Sequence, residues 1–290
     1  MPAITLRHRD LELVADPARG GAILAFRHAG RDLLRPWDGR SDNPRTYACF
    51  PLIPFSGRID RGRFVVEGRE HVLPLNAPPA PHAVHGEGWQ LPWRVEAQDD
   101  ASLTVALERD DLAATFRYRA EQRYVLTDDT LAVTLAVEHR GGTPMPYGLG
   151  LHPYLPREAA LLSAEVAAVW LPDTSNIPRD LAPVPVEWGF RLRRPVAELA
   201  GMDHNFQGWS GTARVERPGT DLRIEADPLF RHLVLYVPPD RDFFCLEPVS
   251  HVADGFNLAA RGMQGTGVRV LGPGERIEGT VRFGVGPRTV

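Results

Sequence analysis

Five short segments of this chain hold side chains able to do chemistry, and they lie far apart in the sequence. His82-Ala83-Val84-His85-Gly86-Glu87-Gly88-Trp89 offers two histidines, two glycines and an indole, with Trp93 close behind. Glycines allow close backbone approach, and flat indole rings suit the C–H faces of sugars. A turn with two core tryptophans is the plain alternative. Histidines three apart on an extended chain face opposite ways, and no zinc ligand pattern completes them. Pro146-Tyr147-Gly148-Leu149-Gly150-Leu151-His152-Pro153-Tyr154 sets His152 among apolar groups, with Gly148 and Gly150 leaving room for a ligand. A buried structural histidine is the competing reading. Phe243-Phe244-Cys245-Leu246-Glu247-Pro248 places a carboxylate at the end of an apolar strand, where it must be paired, protonated or facing a cleft. A raised pKa would make Glu247 a general base, and an ion pair would be equally ordinary. Arg58, after Phe55-Ser56-Gly57, carries a planar donor fork suited to hydroxyls or a carboxylate, or to a surface ion pair. Gly201-Met202-Asp203-His204-Asn205-Phe206 adds a second carboxylate, which with Asn205 could equally form a hydrogen-bonded turn.

The elements that must hold these groups read as strands. Leu131, Val133, Leu135 and Val137 fall on one face of an extended chain, with Thr134 and Glu138 among the opposing residues. Similar runs occur at Phe64 to Val66, Leu103 to Leu107, Leu222 to Ala226, Leu233 to Val237 and Val281 to Val285, separated by clusters such as Arg217-Pro218-Gly219. Short helices fit only around Arg157 to Ala164, Val196 to Ala200 and Asp254 to Ala260. The pattern is all-β, and a large antiparallel sandwich forming a single domain over residues 1–290 buries one face of each strand. The proline-rich stretches Ala77 to Pro81 and Ile177 to Pro185 read as ordered loops on that sandwich, not as linkers.

Composition removes several function classes. Thirty-three basic residues against thirty-seven acidic give a formal charge of −4, so no net field recruits nucleic acid or an anionic membrane. Every basic residue is arginine, which excludes a lysine Schiff base, an internal pyridoxal aldimine and a P-loop lysine. Two cysteines are too few for a disulfide scaffold, and Met1 to Val14 carries charges where a signal peptide is apolar. No apolar run reaches the roughly eighteen residues of a membrane helix. A cytoplasmic protein acting on a neutral small molecule fits these features, as a monomer or homodimer.

Taken together and in this order, the five segments resemble the aldose 1-epimerase family, the galactose mutarotases. The likeness runs from about Arg45 to Glu275. Pro54 to Gly62 is similar to the family's arginine motif, His85-Gly86 to its His-Gly motif, and Gly148 to Tyr154 to its second histidine motif. Asp203 to Phe206 matches an Asp-His-Asn-Phe motif, Leu246-Glu247-Pro248 the strand-ending glutamate, and Pro273-Gly274-Glu275 the last turn. Gly57 stands where many members have an asparagine, and Glu87-Gly88 follows His85-Gly86 in place of a third glycine.

The resemblance implies a mutarotase-like β-sandwich that opens and recloses a cyclic hemiacetal without metal or organic cofactor. Glu247 would take the anomeric proton and His152 would give one to the ring oxygen, its near-neutral intrinsic pKa suiting both delivery and return. Arg58, His85, Asp203 and Trp89 would hold the sugar. Three other readings remain open at this point. A hexose-phosphate 1-epimerase would gather arginines such as Arg45, Arg61 and Arg63 on a phosphate. A non-catalytic carbohydrate-binding protein would keep the tryptophans and Arg58 but need neither His152 nor Glu247. A metal-dependent β enzyme would use His82, His85, His152 and Glu247.

Overall fold

The structure is a computed structural model and describes residues 2–286. Alternating apolar side chains dictate its architecture. Along Thr130–His139 the residues Leu131, Val133, Leu135 and Val137 are fully buried, while Thr130, Ala132, Thr134 and Glu138 are only partly covered. That strand lies inside a nine-stranded sheet, between Tyr118–Leu126 and Arg276–Val285. A second, eight-stranded sheet runs Pro178–Pro183, Ala168–Pro172, Asp203–Gln207, His232–Tyr236, Phe243–Val249, Gly150–Leu151 and Pro51–Leu52, with Tyr154–Pro156 also paired to Phe243–Val249. The strand pairs within both sheets are antiparallel, as the period-two pattern requires. An N-terminal four-stranded sheet, Ile4–His8 to Arg31–Asp32, packs alongside.

One apolar cluster joins the two large sheets, with Tyr124, Leu135 and Phe283 from one meeting Phe206, Leu235, Phe244 and Leu246 from the other. Face-to-face burial of this kind is what holds a sandwich together. Along Phe243–Val249 the side chains divide. Phe244 and Leu246 point into that core, whereas Cys245 and Val249 join a second cluster with Phe50, Trp89, Tyr154 and Val234 on the outer face. Glu247, between Cys245 and Val249 in the alternation, emerges on that outer face too.

Helix is scarce, as the patterning predicts: the described residues hold one α-helix, Gly255–Ala260, and short 3-10 turns including Val196–Leu199. Two expectations are corrected. Residues 157–164 do not form a helix; Leu161–Ala164 is a strand paired with Thr212–Arg217, because Leu162 and Ala164 alternate inward past Ser163. Residues 177–185 are not a loop throughout, since Pro178–Pro183 forms an edge strand of the eight-stranded sheet. A proline is tolerated there because an edge leaves backbone N–H positions unpaired. Among the described residues no helix is long and apolar enough to cross a membrane.

Candidate active site

Cross-strand register assembles the site on the outer face of the eight-stranded sheet. Asp203 lies opposite Tyr236, Tyr236 opposite Cys245, and Cys245 opposite Tyr154, forming one row. Asn205, Val234 and Glu247 form the adjacent row. Rows on one face repeat every two residues, roughly 7 Å apart along a strand, and neighbouring strands lie roughly 5 Å apart. Residues from four strands thereby meet over one sugar-sized area. Above them, Arg58 leads a two-residue strand whose partner, Ala83–Val84, runs directly into His85. The resulting cleft has a volume of about 270 Å³ and is lined by Arg45, Arg58, His85, His152, Asp203 and Glu247, with Asn205, Tyr154 and Tyr236 among its walls. That is slightly below the roughly 300–1,000 Å³ of drug-sized ligand sites, a size suited to one small polar ring.

His152 sits at the floor, 4.6 Å between ring centroids from Phe50 and 4.8 Å from Tyr154. Its Nε2 lies 3.2 Å from Glu247 Oε1, and its buried Nδ1 has no hydrogen-bond partner. Burial pushes the imidazole down to about 3, so the near-neutral value expected of a free histidine does not survive folding. Burial, reinforced by the charge of Asp203 and opposed by Arg58, raises the Glu247 carboxyl well above its ordinary value. Both shifts disfavour charge, so the pair favours a state in which one proton is held between two otherwise neutral groups.

His85 is fixed from both sides by Gly57. Its backbone N–H donates to the Gly57 carbonyl at 2.8 Å, and its Nδ1 accepts from the Gly57 N–H at 3.0 Å. An accepting Nδ1 leaves the proton on Nε2, making the ring a neutral donor; burial, then the neighbouring His152 and Arg58, keep its pKa well below the usual value. Gly57 has φ +66°, and a Cβ there would lie 2.6 Å from Ala253 Cβ, so a side chain at this position has no space unless Ala253 shifts. Arg58 Nη2 donates to Asp203 Oδ2 at 3.1 Å, and Asn176 Nδ2 donates to the same oxygen at 2.5 Å. Asp203 is therefore held in place with its other oxygen free to accept.

Several expectations change in this setting. Trp89 does not line the cleft: it is buried behind it, its Nε1 donating to the Gly86 carbonyl, its ring stacked on Phe50 and edge-on to His85. Trp93 is likewise a core residue. The glycines at 148 and 150 make room for protein, not ligand; a Cβ at Gly148 would fall 1.8 Å from His251 Cδ2, and one at Gly150 would fall 2.8 Å from Val249 Cγ1. Gly86 allows the chain to pass over the Ile53 carbonyl. Residues 203 and 205 belong to a strand, not a turn. Of the arginines proposed for a phosphate, only Arg45 reaches the cleft; Arg63 pairs with Glu70. His82 lies outside it, bonded to the Arg61 N–H and the Ser175 carbonyl, so the four-ligand metal set is not assembled. Asn176 and Tyr236 have no local signal in the sequence, because only a loop contact and cross-strand pairing bring them here, whereas Asn205 belongs to the Asp203 to Phe206 motif.

A buried histidine–carboxylate pair under a polar, ring-sized cleft on a β-sandwich invites comparison with known proteins. The chain is 33 % identical over 300 residues to the Escherichia coli (strain K12) protein YphB, covering 95 % of this chain and 96 % of that one. A solved Escherichia coli K12 structure superposes with a TM-score of 0.90 at 32 % identity, over 98 % of this chain and 99 % of the other. A galactose mutarotase-like protein from Clostridium acetobutylicum shares the fold at a TM-score of 0.86 and 18 % identity, over 98 % and 95 % of the two chains. The sequence model described as aldose 1-epimerase matches residues 2–284, and with that span and these likenesses the chain belongs to the aldose 1-epimerase family.

Proposed function

We propose that the protein interconverts the α and β anomers of an aldohexose by opening and reclosing the sugar ring. The observation that carries this reading is the buried contact of 3.2 Å between Glu247 and His152 at the floor of the cleft. In the reactive proton arrangement Glu247 is a carboxylate and His152 an imidazolium. Glu247 takes the proton from the anomeric hydroxyl while His152 gives one to the ring oxygen, and the bond between that oxygen and C1 breaks. The open-chain aldehyde then faces a protonated Glu247 and a neutral His152, the arrangement that burial favours. Rotation about the C1–C2 bond presents the other face of the carbonyl. The C5 hydroxyl attacks it, its proton returns to His152 and Glu247 reprotonates O1. The pair holds one transferable proton throughout, so the catalyst is regenerated without exchange with solvent.

The other groups fit binding roles. His85, with its proton on Nε2, donates to a ring or hydroxyl oxygen, while Arg58 donates to hydroxyls and Asp203 accepts from them. Trp89 supports His85 from behind.

The test is polarimetry on freshly dissolved α-glucose, α-galactose and glucose 6-phosphate, with the spontaneous rate subtracted. Acceleration for a neutral hexose is the expected result. Faster turnover of the phosphate ester alone would make Arg45 the selecting residue, and sugar binding without acceleration of any substrate would overturn catalysis in favour of a binding role.

A further inference from the structure

The mechanism above leaves two buried thiols unused, Cys49 and Cys245, and the second stands beside the pair. Cys245 stands two residues before Glu247 on the same strand face, fully covered beneath the cleft floor and opposite Tyr154. One donor atom each from Cys245, His152 and Glu247 lies within 4.8 Å of the others, and all three residues are buried. His152 Nδ1 has no internal partner. We propose that Cys245, His152 and Glu247 form a site for a soft divalent cation, zinc foremost, which enters through the cleft and switches the acid–base pair off.

Ligand chemistry supports the choice of ion. A sulfur, an imidazole nitrogen and a carboxylate oxygen are the donors zinc accepts, and three protein ligands with one position open to a cleft are the arrangement of an accessible zinc site. Tetrahedral zinc with bonds of about 2.0–2.3 Å holds its ligands roughly 3.5 Å apart. Glu247 and His152 already approach to 3.2 Å, so only a contraction of about 1 Å toward the thiol is needed. The charges also balance: a thiolate and a carboxylate neutralise a dication in a place where burial penalises net charge. Of the arginines whose charge reaches His152, Arg45, Arg35 and Arg58, the last is already paired with Asp203. Magnesium, which demands six oxygen ligands, has no such set. Zinc binding displaces the thiol proton and the proton shared by the pair, which removes the group that must serve the ring oxygen.

The inhibitory half of this proposal rests on the mutarotase reading; the binding half does not, and the experiment separates them. Protein stripped with a chelator is titrated with zinc against a chromophoric competitor, while mutarotation is followed in parallel and cadmium is used to detect a thiolate charge-transfer band. The expected results are one zinc per chain, a loss of activity of more than about tenfold at saturation, no effect of magnesium, and full activity of the stripped protein. Cys245→Ala and Cys245→Ser should keep metal-free activity within about twofold and lose the cadmium band. Removing supporting groups around metal ligands costs roughly 10–100-fold in affinity, so loss of a ligand should raise the half-inhibiting zinc concentration at least about a hundredfold. Unchanged zinc sensitivity in both variants, or no zinc bound to the wild-type chain, overturns the site. Zinc binding through Cys245 in a chain without mutarotation would keep the site and overturn the proposed function instead.

Discussion

The buried histidines beside the ends of His232–Tyr236 and Phe243–Val249 and the one at the floor of the cleft are built on opposite terms. His251 is fully provided for, since its Nε2 accepts from the Ser56 N–H at 3.1 Å and its Nδ1 donates to the Val252 carbonyl at 2.7 Å, and His232 is held between the carbonyls of Ser250 and Gly265, to one of which its neutral ring donates. His152, equally covered, has one nitrogen without a partner and the other facing only a carboxylate. A buried polar atom without a partner costs about 1–3 kcal/mol, so a fold retains it where something else completes it. The first group fastens loops, and the second is left incomplete toward a cleft. Burial alone therefore does not separate a structural histidine from a working one; the list of partners does.

Replacing Glu247 with Gln is the strongest way to break this contrast. The amide keeps the size of the carboxyl but cannot take the anomeric proton, so kcat should fall by roughly a hundredfold to ten-thousandfold. Stability should not fall with it. Because burial raises the carboxyl's pKa, the folded state holds a proton that the unfolded chain gives up near 4.5, and Glu247 weakens the fold as pH rises above that value. E247Q should therefore melt at or above the wild-type temperature at pH 7.5. A variant that loses activity only in proportion to lost folding would place Glu247 with the structural group, and near-normal kcat would pass the role of base to Asp203.

Acid should expose the other side of the comparison. Burial lowers His232 and His251 to about 4 and His152 to about 3, all from 6.5. In the window between 6.5 and the lowered values the unfolded chain binds more protons than the folded one, so stability rises with pH and is lost as pH falls. At about 1.4 kcal/mol per unit, each histidine contributes on the order of 3 kcal/mol to that loss between pH 7 and pH 4. Urea midpoints measured across this range should fall steeply below pH 6.5. A flat profile would mean that these rings are solvated or already protonated.

The same contrast explains which parts of the molecule the sequence reveals. Period-two burial along Leu131, Val133, Leu135 and Val137 is a local property, so the sandwich is legible without any long-range information. Arg58, His85, His152, Asp203 and Glu247 are legible through their motifs, and they do line one cleft. Tyr236 and Asn176 are invisible as site neighbours because cross-strand register and a loop contact, set by residues far away in the chain, decide their company. Trp89 and the glycines at 148 and 150 mislead for a related reason. An indole or a missing Cβ next to a motif is equally consistent with packing, and here Gly148 yields its space to the ring of His251.

Substituting His251 with Ala removes a structural ring and should do the reverse of E247Q. The Ser56 N–H loses its acceptor and the Val252 carbonyl its donor, which costs about 2–3 kcal/mol of stability. Activity per folded molecule should stay within about threefold, since the ring does not reach the cleft. Denaturant midpoints and active-site-normalised rates measure the two separately. A kcat loss comparable to that of E247Q, in protein shown to be folded, would erase the distinction between the two groups.

The smallest effect is expected at Arg58, and it sharpens the comparison within the cleft itself. Arg58 is about one quarter exposed and shares Asp203 Oδ2 with Asn176, so its removal leaves Asp203 a remaining donor and costs the fold little. In the proposed binding mode its contacts are to hydroxyls that do not change between the closed ring and the transition state. An interaction made equally in both states lowers KM without raising kcat. Arg58→Ala should therefore raise KM about tenfold, equivalent to about 1.4 kcal/mol, with kcat reduced less than about threefold. The measurement is a full saturation curve by polarimetry, with the background rate of mutarotation subtracted at every sugar concentration. If kcat falls more than KM rises, Arg58 acts on charge that develops only as the ring opens, and its guanidinium then stabilises the departing oxygen alongside His152 rather than merely holding the sugar.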